Sequence, residues 1–102
     1  MTINTTFNEN DKLYTISVDG DFSFSLLHEF RKAYSSKEAE AAIKVVIDMR
    51  KTETIDSSAL GMLLNMQTHL NKKDGEIKII NCNPVVGNIF NITNFGKKFS
   101  VE

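Results

Sequence analysis

Residues 54–64 read Thr-Ile-Asp-Ser-Ser-Ala-Leu-Gly-Met-Leu-Leu and bring two hydroxyls and a carboxylate together just before an apolar run. Asp and Ser at such a place signal a helix N-terminus, because their oxygens accept the unpaired first-turn amides. The positive end of the helix dipole also tolerates added negative charge well. Asp56, Ser57 and Ser58 therefore read first as a plain cap, at a place that would also accommodate added negative charge. Other chemistry finds little support. His28 and His69 fall on different predicted helices, with no Cys or carboxylate at metal-ligand spacing, so neither a metal nor a cofactor is expected. A hydrolase built from Ser57, a His and Asp48 lacks the Gly-x-Ser-x-Gly elbow, and no Gly-rich phosphate loop is present. Cys82 ends an apolar segment and reads as a small core residue. The expectation is that the chain is not an enzyme.

The string Asp56-Ser57-Ser58-Ala59-Leu60-Gly61 resembles the phosphorylation motif of STAS domains, specifically the bacterial anti-sigma-factor antagonists. These commonly show Asp-Ser-Ser/Thr-Gly-Leu-Gly, with the phosphorylated Ser directly after the Asp. By position that residue is Ser57. Ser58 matches the accompanying Ser/Thr and Gly61 the last Gly, while Ala59 replaces the commoner Gly. The resemblance implies a Ser/Thr protein kinase partner, acting as an anti-sigma factor or related switch protein, and a Ser/Thr phosphatase that resets the module. It places Asp56, Ser57, Ser58 and Ala59 in the partner contact. Met62 and Met66 read either as core filling or, as the resemblance favours, as an adaptable partner surface beside Ser57. On the second reading Met62 occupies an exposed flank of the helix. Relatives often carry Gly-Glu-Leu-Asp after the second strand; here the residues are Gly20-Asp21-Phe22-Ser23, so Asp21 keeps an acid and Ser23 replaces one. Both are expected to touch a partner that differs from the usual kinase. The alternative reading is a small STAS accessory subunit of a membrane transport ATPase.

The elements that must position this motif follow from patterning. Residues 3–8 form a short strand, a polar turn follows at residues 8–11, and residues 13–18 alternate as a half-buried strand should. Gly20 and Asp21 then break the chain. Leu26, Leu27, Phe30, Ala33 and Tyr34 recur at helical spacing and predict a first helix over about residues 23–34. Residues 35–40 either extend it or form a loop. Ile43–Met49 is nearly all apolar and predicts a strand covered on both faces. Asp48 within it points either towards the next helix or to the sheet's edge. The second helix, about residues 57–71, draws its apolar stripe from Leu60, Leu63, Leu64 and Leu70. Asp74-Gly75 marks a turn, residues 77–80 a strand, and Asn83-Pro84 the cap and first residue of a third helix. That helix ends at Asn94-Phe95-Gly96, leaving Phe99 and Val101 for a short last element. This order predicts a STAS-like α/β domain over residues 1–102, with a mixed sheet of about four or five strands and about three or four helices.

Composition removes several function classes. The chain has 102 residues, 41% of them apolar and 25% charged, the proportions of one globular domain. Twelve basic residues face 13 acidic ones, for a net charge of −1, which argues against nucleic-acid binding. The lysine pairs at 72–73 and 97–98 read as solvated surface. No apolar run approaches the roughly 20 residues of a membrane span, so no membrane insertion is expected. Residues 1–6 lack the features of a signal peptide, and a single Cys permits no internal disulfide. These features predict a cytoplasmic protein.

Overall fold

A computed structural model describes residues 3–71, 76–95 and 99–102. The polar turn at residues 8–11 closes a hairpin between β1 (Ile3–Asn8) and β2 (Leu13–Val18), paired antiparallel without a break in register. The Asn8 side chain accepts from the amides of Asn10 and Asp11, and Lys12 takes the positive φ of 54° that completes the reversal. β2 is followed by β3 (Gly20–Phe22), a one-turn 3-10 helix (Phe24–Leu26), α1 (Leu27–Tyr34) and α2 (Lys37–Ala41). Then come β4 (Lys44–Asp48), β5 (Thr52–Ile55), α3 (Ser57–Leu70), β6 (Ile77–Ile80), α4 (Pro84–Ile92) and β7 (Ser100–Val101).

Five strands form one mixed sheet in the order β1-β2-β4-β6-β7, with every pair after the hairpin parallel. Alternation sends Tyr14, Ile16, Val18, Val45, Ile47, Ile77 and Ile79 to one face, where they share a continuous core with Phe30, Leu63, Met66, Val86 and Phe90 from the helices. The other face carries Thr15, Ser17, Val46, Asp48, Lys78 and Ile80, which are only half-buried. The strand around residues 43–49 is thus covered on one face, not two. Ile43 lies before β4 and is 58% exposed, so part of the apolar run that suggested double cover is outside the strand.

Two further expectations change. Gly20 and Asp21 do not end strand structure; with Phe22 they form β3, which pairs in parallel with β5 as a separate two-stranded ribbon. Within the 35–40 stretch Ser35 caps the end of α1 and Ser36 starts α2, a helix of its own, by accepting from the Ala39 amide. The Asp74-Gly75 turn, Gly96, the lysine pair at 72–73 and that at 97–98 lie outside the described residues. Among the described residues no helix is long and apolar enough to cross a membrane.

Candidate functional site

The site is built on the β3–β5 ribbon. Gly20 sits at φ +82°, a backbone conformation that side chains disfavour, and its amide donates to Lys51 O at 2.8 Å to start the ribbon. Asp21 pairs with Thr54 and Phe22 with Ile55. Thr54 Oγ1 donates to Asp21 Oδ1 at 2.8 Å, tying the two strands on their exposed side. Phe22 is fully buried and anchors the other side. One residue further, the Asp56 amide donates to Phe22 O at 3.2 Å, while Ser23 and Asp56 both remain extended. Each chain then turns into a helix, at Phe24 and at Ser57. Parallel neighbours lie about 4.8 Å apart, so the first residues of these two turns flank one another.

Asp56 is the N-cap of α3, and its Oδ1 accepts from the Ala59 amide at 2.9 Å. The Ala59 and Leu60 amides also reach Asp56 O. The amides of Ser57 and Ser58 have no hydrogen-bond partner among the described residues, and neither does the Ser57 hydroxyl. Ser57 is exposed and Ser58 half-buried. An exposed hydroxyl therefore stands at the positive end of a 14-residue helix, where two first-turn donors are unpaired among the described residues.

The sequence-predicted residues divide on this geometry. Asp21, Ser23, Asp56, Ser57 and Ser58 gather at one end of the ribbon. Ser23 is half-buried with its hydroxyl 3.0 Å from that of Ser25, whereas Asp21 is held by Thr54. Ala59 is fully buried and Met62 is 3% exposed, so Met62 belongs to the core and not to an exposed flank. The inward face of α3 is Ala59, Met62, Leu63 and Met66, with Leu60, Leu64 and Leu70 only partly covered. At 100° per residue this face lies about a quarter turn from the predicted leucine stripe. Apolar residues surround the first two turns, so periodicity alone does not choose between methionines and leucines. The outward row is instead Ser57, Gly61, Leu64 and Thr68, with Leu60 beside it.

Several residues of the site were not anticipated. Phe24, which follows the extended Ser23 as Ser57 follows the extended Asp56, is 65% exposed, an aromatic on a surface where burial is the norm. Asn83 joins α4 to the ribbon: its Oδ1 accepts from the Val86 amide at 2.8 Å, and its Nδ2 donates to Thr52 O and Glu53 O, each at 3.1 Å. Thr52 is buried with its hydroxyl satisfied by Val18 O at 2.6 Å. The β-branched residues Thr52, Thr54 and Ile55 were the available signal for β5.

The remaining candidates lie elsewhere. Asp48 points away from α3 on the open sheet face, accepting from Asn81 Nδ2 and the Arg50 amide, each at 3.0 Å. Burial pushes its carboxyl up, but these hydrogen bonds and the Arg50 charge outweigh it and leave the pKa below the ordinary value. Cys82 is half-buried, and burial raises its thiol. His69 lies 3.6 Å from Glu40 and against the Tyr34 ring, and His28 is on the surface. Among the described residues no group of His, Cys, Asp and Glu has the arrangement of a metal site.

Comparison with known proteins gives a consistent picture. The sequence profile of the STAS domain matches residues 3–102. A STAS-domain containing protein of Pseudomonas aeruginosa (strain UCBPP-PA14) is 38% identical over 88 residues, 86% of each chain. The crystal structure of an anti-sigma factor antagonist from Mycobacterium paratuberculosis superposes with a TM-score of 0.78 at 22% identity, covering 98% of this chain and 85% of the other. The Bacillus cell-fate determinant SpoIIAA in its phosphorylated form gives 0.69 at 15% identity, covering 99% and 91%. At these identities the structural likenesses establish the fold.

Proposed function

The chain belongs to the STAS domain family, and on that premise we propose that it is a non-enzymatic binding module switched by phosphorylation of Ser57. The observation that carries this reading is the exposed Ser57 at the N-terminal end of α3, within the Asp56-Ser57-Ser58-Ala59-Leu60-Gly61 motif. The partner is a Ser/Thr protein kinase of the anti-sigma-factor type or a related switch protein, and a Ser/Thr phosphatase resets the module. The setting is the cytoplasm, with transcription as the regulated output.

Unmodified, Ser57 forms the centre of a contact surface with Asp21, Ser23, Phe24, Asp56, Ser58 and the outward leucines Leu60 and Leu64. Ser23 stands where relatives often have an acid, so apolar contacts led by Phe24 dominate the recognition. Phosphorylation adds about −1.5 to −2 charges. Inside the domain this is tolerated, because the group faces the first-turn amides of α3. Within the interface it is costly, since a hydrated dianion must lose water beside Asp56 and against apolar groups. A penalty of about 3 kcal/mol weakens binding more than a hundredfold, at tenfold per roughly 1.4 kcal/mol. The fold need not change.

The test begins with capture of the partner by unmodified protein from the native cell, identified by mass spectrometry. Titration calorimetry with that partner should then show Ser57→Ala binding as tightly as the unmodified protein and Ser57→Asp binding more weakly. Equal binding by the two variants refutes the electrostatic switch. Phosphopeptide mapping should place the modification on Ser57; phosphate confined to Ser58 overturns the assignment.

A further inference from the structure

The outer edge of the main sheet is β1, which among the described residues pairs with β2 on one side and with no strand on the other. Natural sheets blunt such an edge with a charged residue, a proline, a bulge or a covering segment, because its free N–H and C=O groups template another strand. β1 reads Ile3-Asn4-Thr5-Thr6-Phe7-Asn8, with no charge and no proline. Its register runs unbroken from Ile3↔Val18 to Asn8↔Leu13, so it carries no bulge. The opposite edge, β7, is protected by being only two residues long. Beside β1 lies an open groove of about 520 Å³ whose walls include Thr5, Phe7, Tyr14, Glu29, Lys32 and Glu38.

We propose that β1 is a dimer seam, occupied by β1 of a second copy of this chain. Two copies of one strand pair antiparallel about a two-fold axis normal to the sheet, which sets both helix layers on the same side. Directly opposite residues then share a face. The register centred on Thr5 places Thr5 against Thr5 of the second copy, Ile3 against its Phe7 and Asn4 against its Thr6. These are the β-branched, aromatic and polar pairings that antiparallel strands favour. Centring on Thr6 would instead set Asn4 against Asn8 and Thr5 against Phe7. The Thr5 register covers the half-exposed ring of Phe7, which now touches only Tyr14 among aromatic side chains, at 6.5 Å between ring centres.

Charge points to the same occupant. Lys32 has no carboxylate within ion-pair distance among the described residues, and it shares the groove with Glu29 and Glu38. The two-fold sets the α1 helices antiparallel across the joined grooves, so Lys32 of each copy runs towards the acidic wall of the other. Each groove thus presents both signs of charge to the other copy. It does not involve Ser57, so it stands apart from the phosphorylation reading.

Sedimentation equilibrium of the whole chain over rising concentration tests the seam. The wild type should form a dimer. Thr5→Lys and Thr5→Glu should each raise the dissociation constant by more than about tenfold, because like charges then meet at the axis. Thr5 is exposed, so both variants should stay folded, with a thermal midpoint matching that of the wild type diluted below its dimer dissociation constant. An equimolar mixture of the two variants should restore the dimer, since residue 5 faces residue 5. A wild type that remains monomeric up to about 1 mM overturns the proposal, that concentration being the weak limit of specific association. So does a dimer that survives Thr5→Lys, or a mixture of variants that fails to associate.

Discussion

Truncating Met62 separates a core position from a contact position on α3. Met62 is 3% exposed and packs in one cluster with Ala59, Leu63 and Met66. A buried Met→Ala change loses transfer free energy and leaves a cavity, typically costing about 2–5 kcal/mol. Its neighbours Leu63 and Met66 are fully buried, so little solvent can refill the space and a value of about 3 kcal/mol is expected. For a domain of about 100 residues each kcal/mol lowers the thermal midpoint by roughly 4–8 °C, so Met62→Ala should lower it by about 12–24 °C. Leu64→Ala, two residues on but only half-buried, should cost about 1 kcal/mol and about 4–8 °C. Calorimetric melts of the two variants beside the wild type provide the measurement, and urea titrations should show a shifted midpoint with an unchanged slope. A Met62→Ala fall no larger than that of Leu64→Ala would refute the reasoning. It would mean that α3 presents its methionines outward and its leucines inward.

Asn83→Ala removes the α4 cap and both bonds to the ribbon, and should cost about 1–2 kcal/mol, read as a fall in midpoint of about 4–16 °C. Phe24→Ala should leave the midpoint nearly unchanged, as Phe24 is 65% exposed, yet weaken partner binding at least about tenfold in the same titrations used for Ser57. The depressed pKa of Asp48 means that its ionised form stabilises the folded state above the ordinary carboxyl value, and that this contribution is lost as pH falls through the folded value. Stability of Asp48→Asn, measured by urea unfolding, should therefore depend less steeply on pH below about 4 than that of the wild type.

Local chemistry made much of the fold legible in the chain. The hairpin of residues 3–18 follows from alternation around a polar turn, and α4 from Asn83-Pro84, because cap, proline and strand period act over a few neighbouring residues. The same is true of Asp56 as the cap of α3. Tertiary contact decided the rest. β3 and β5 are three and four residues long and exist as strands only because they pair with each other across more than thirty positions, as between Asp21 and Thr54. The inward face of α3 was settled by tertiary packing: a helix apolar on most sides has several faces it could bury, and in the folded chain Met62 and Met66 join the core. Leu60 and Leu64 are left only partly covered, on the side of α3 that carries Ser57. Likewise no local pattern marks Phe24 as exposed, since exposure records the absence of a neighbour, and neighbours distant in sequence are set only when the chain has folded.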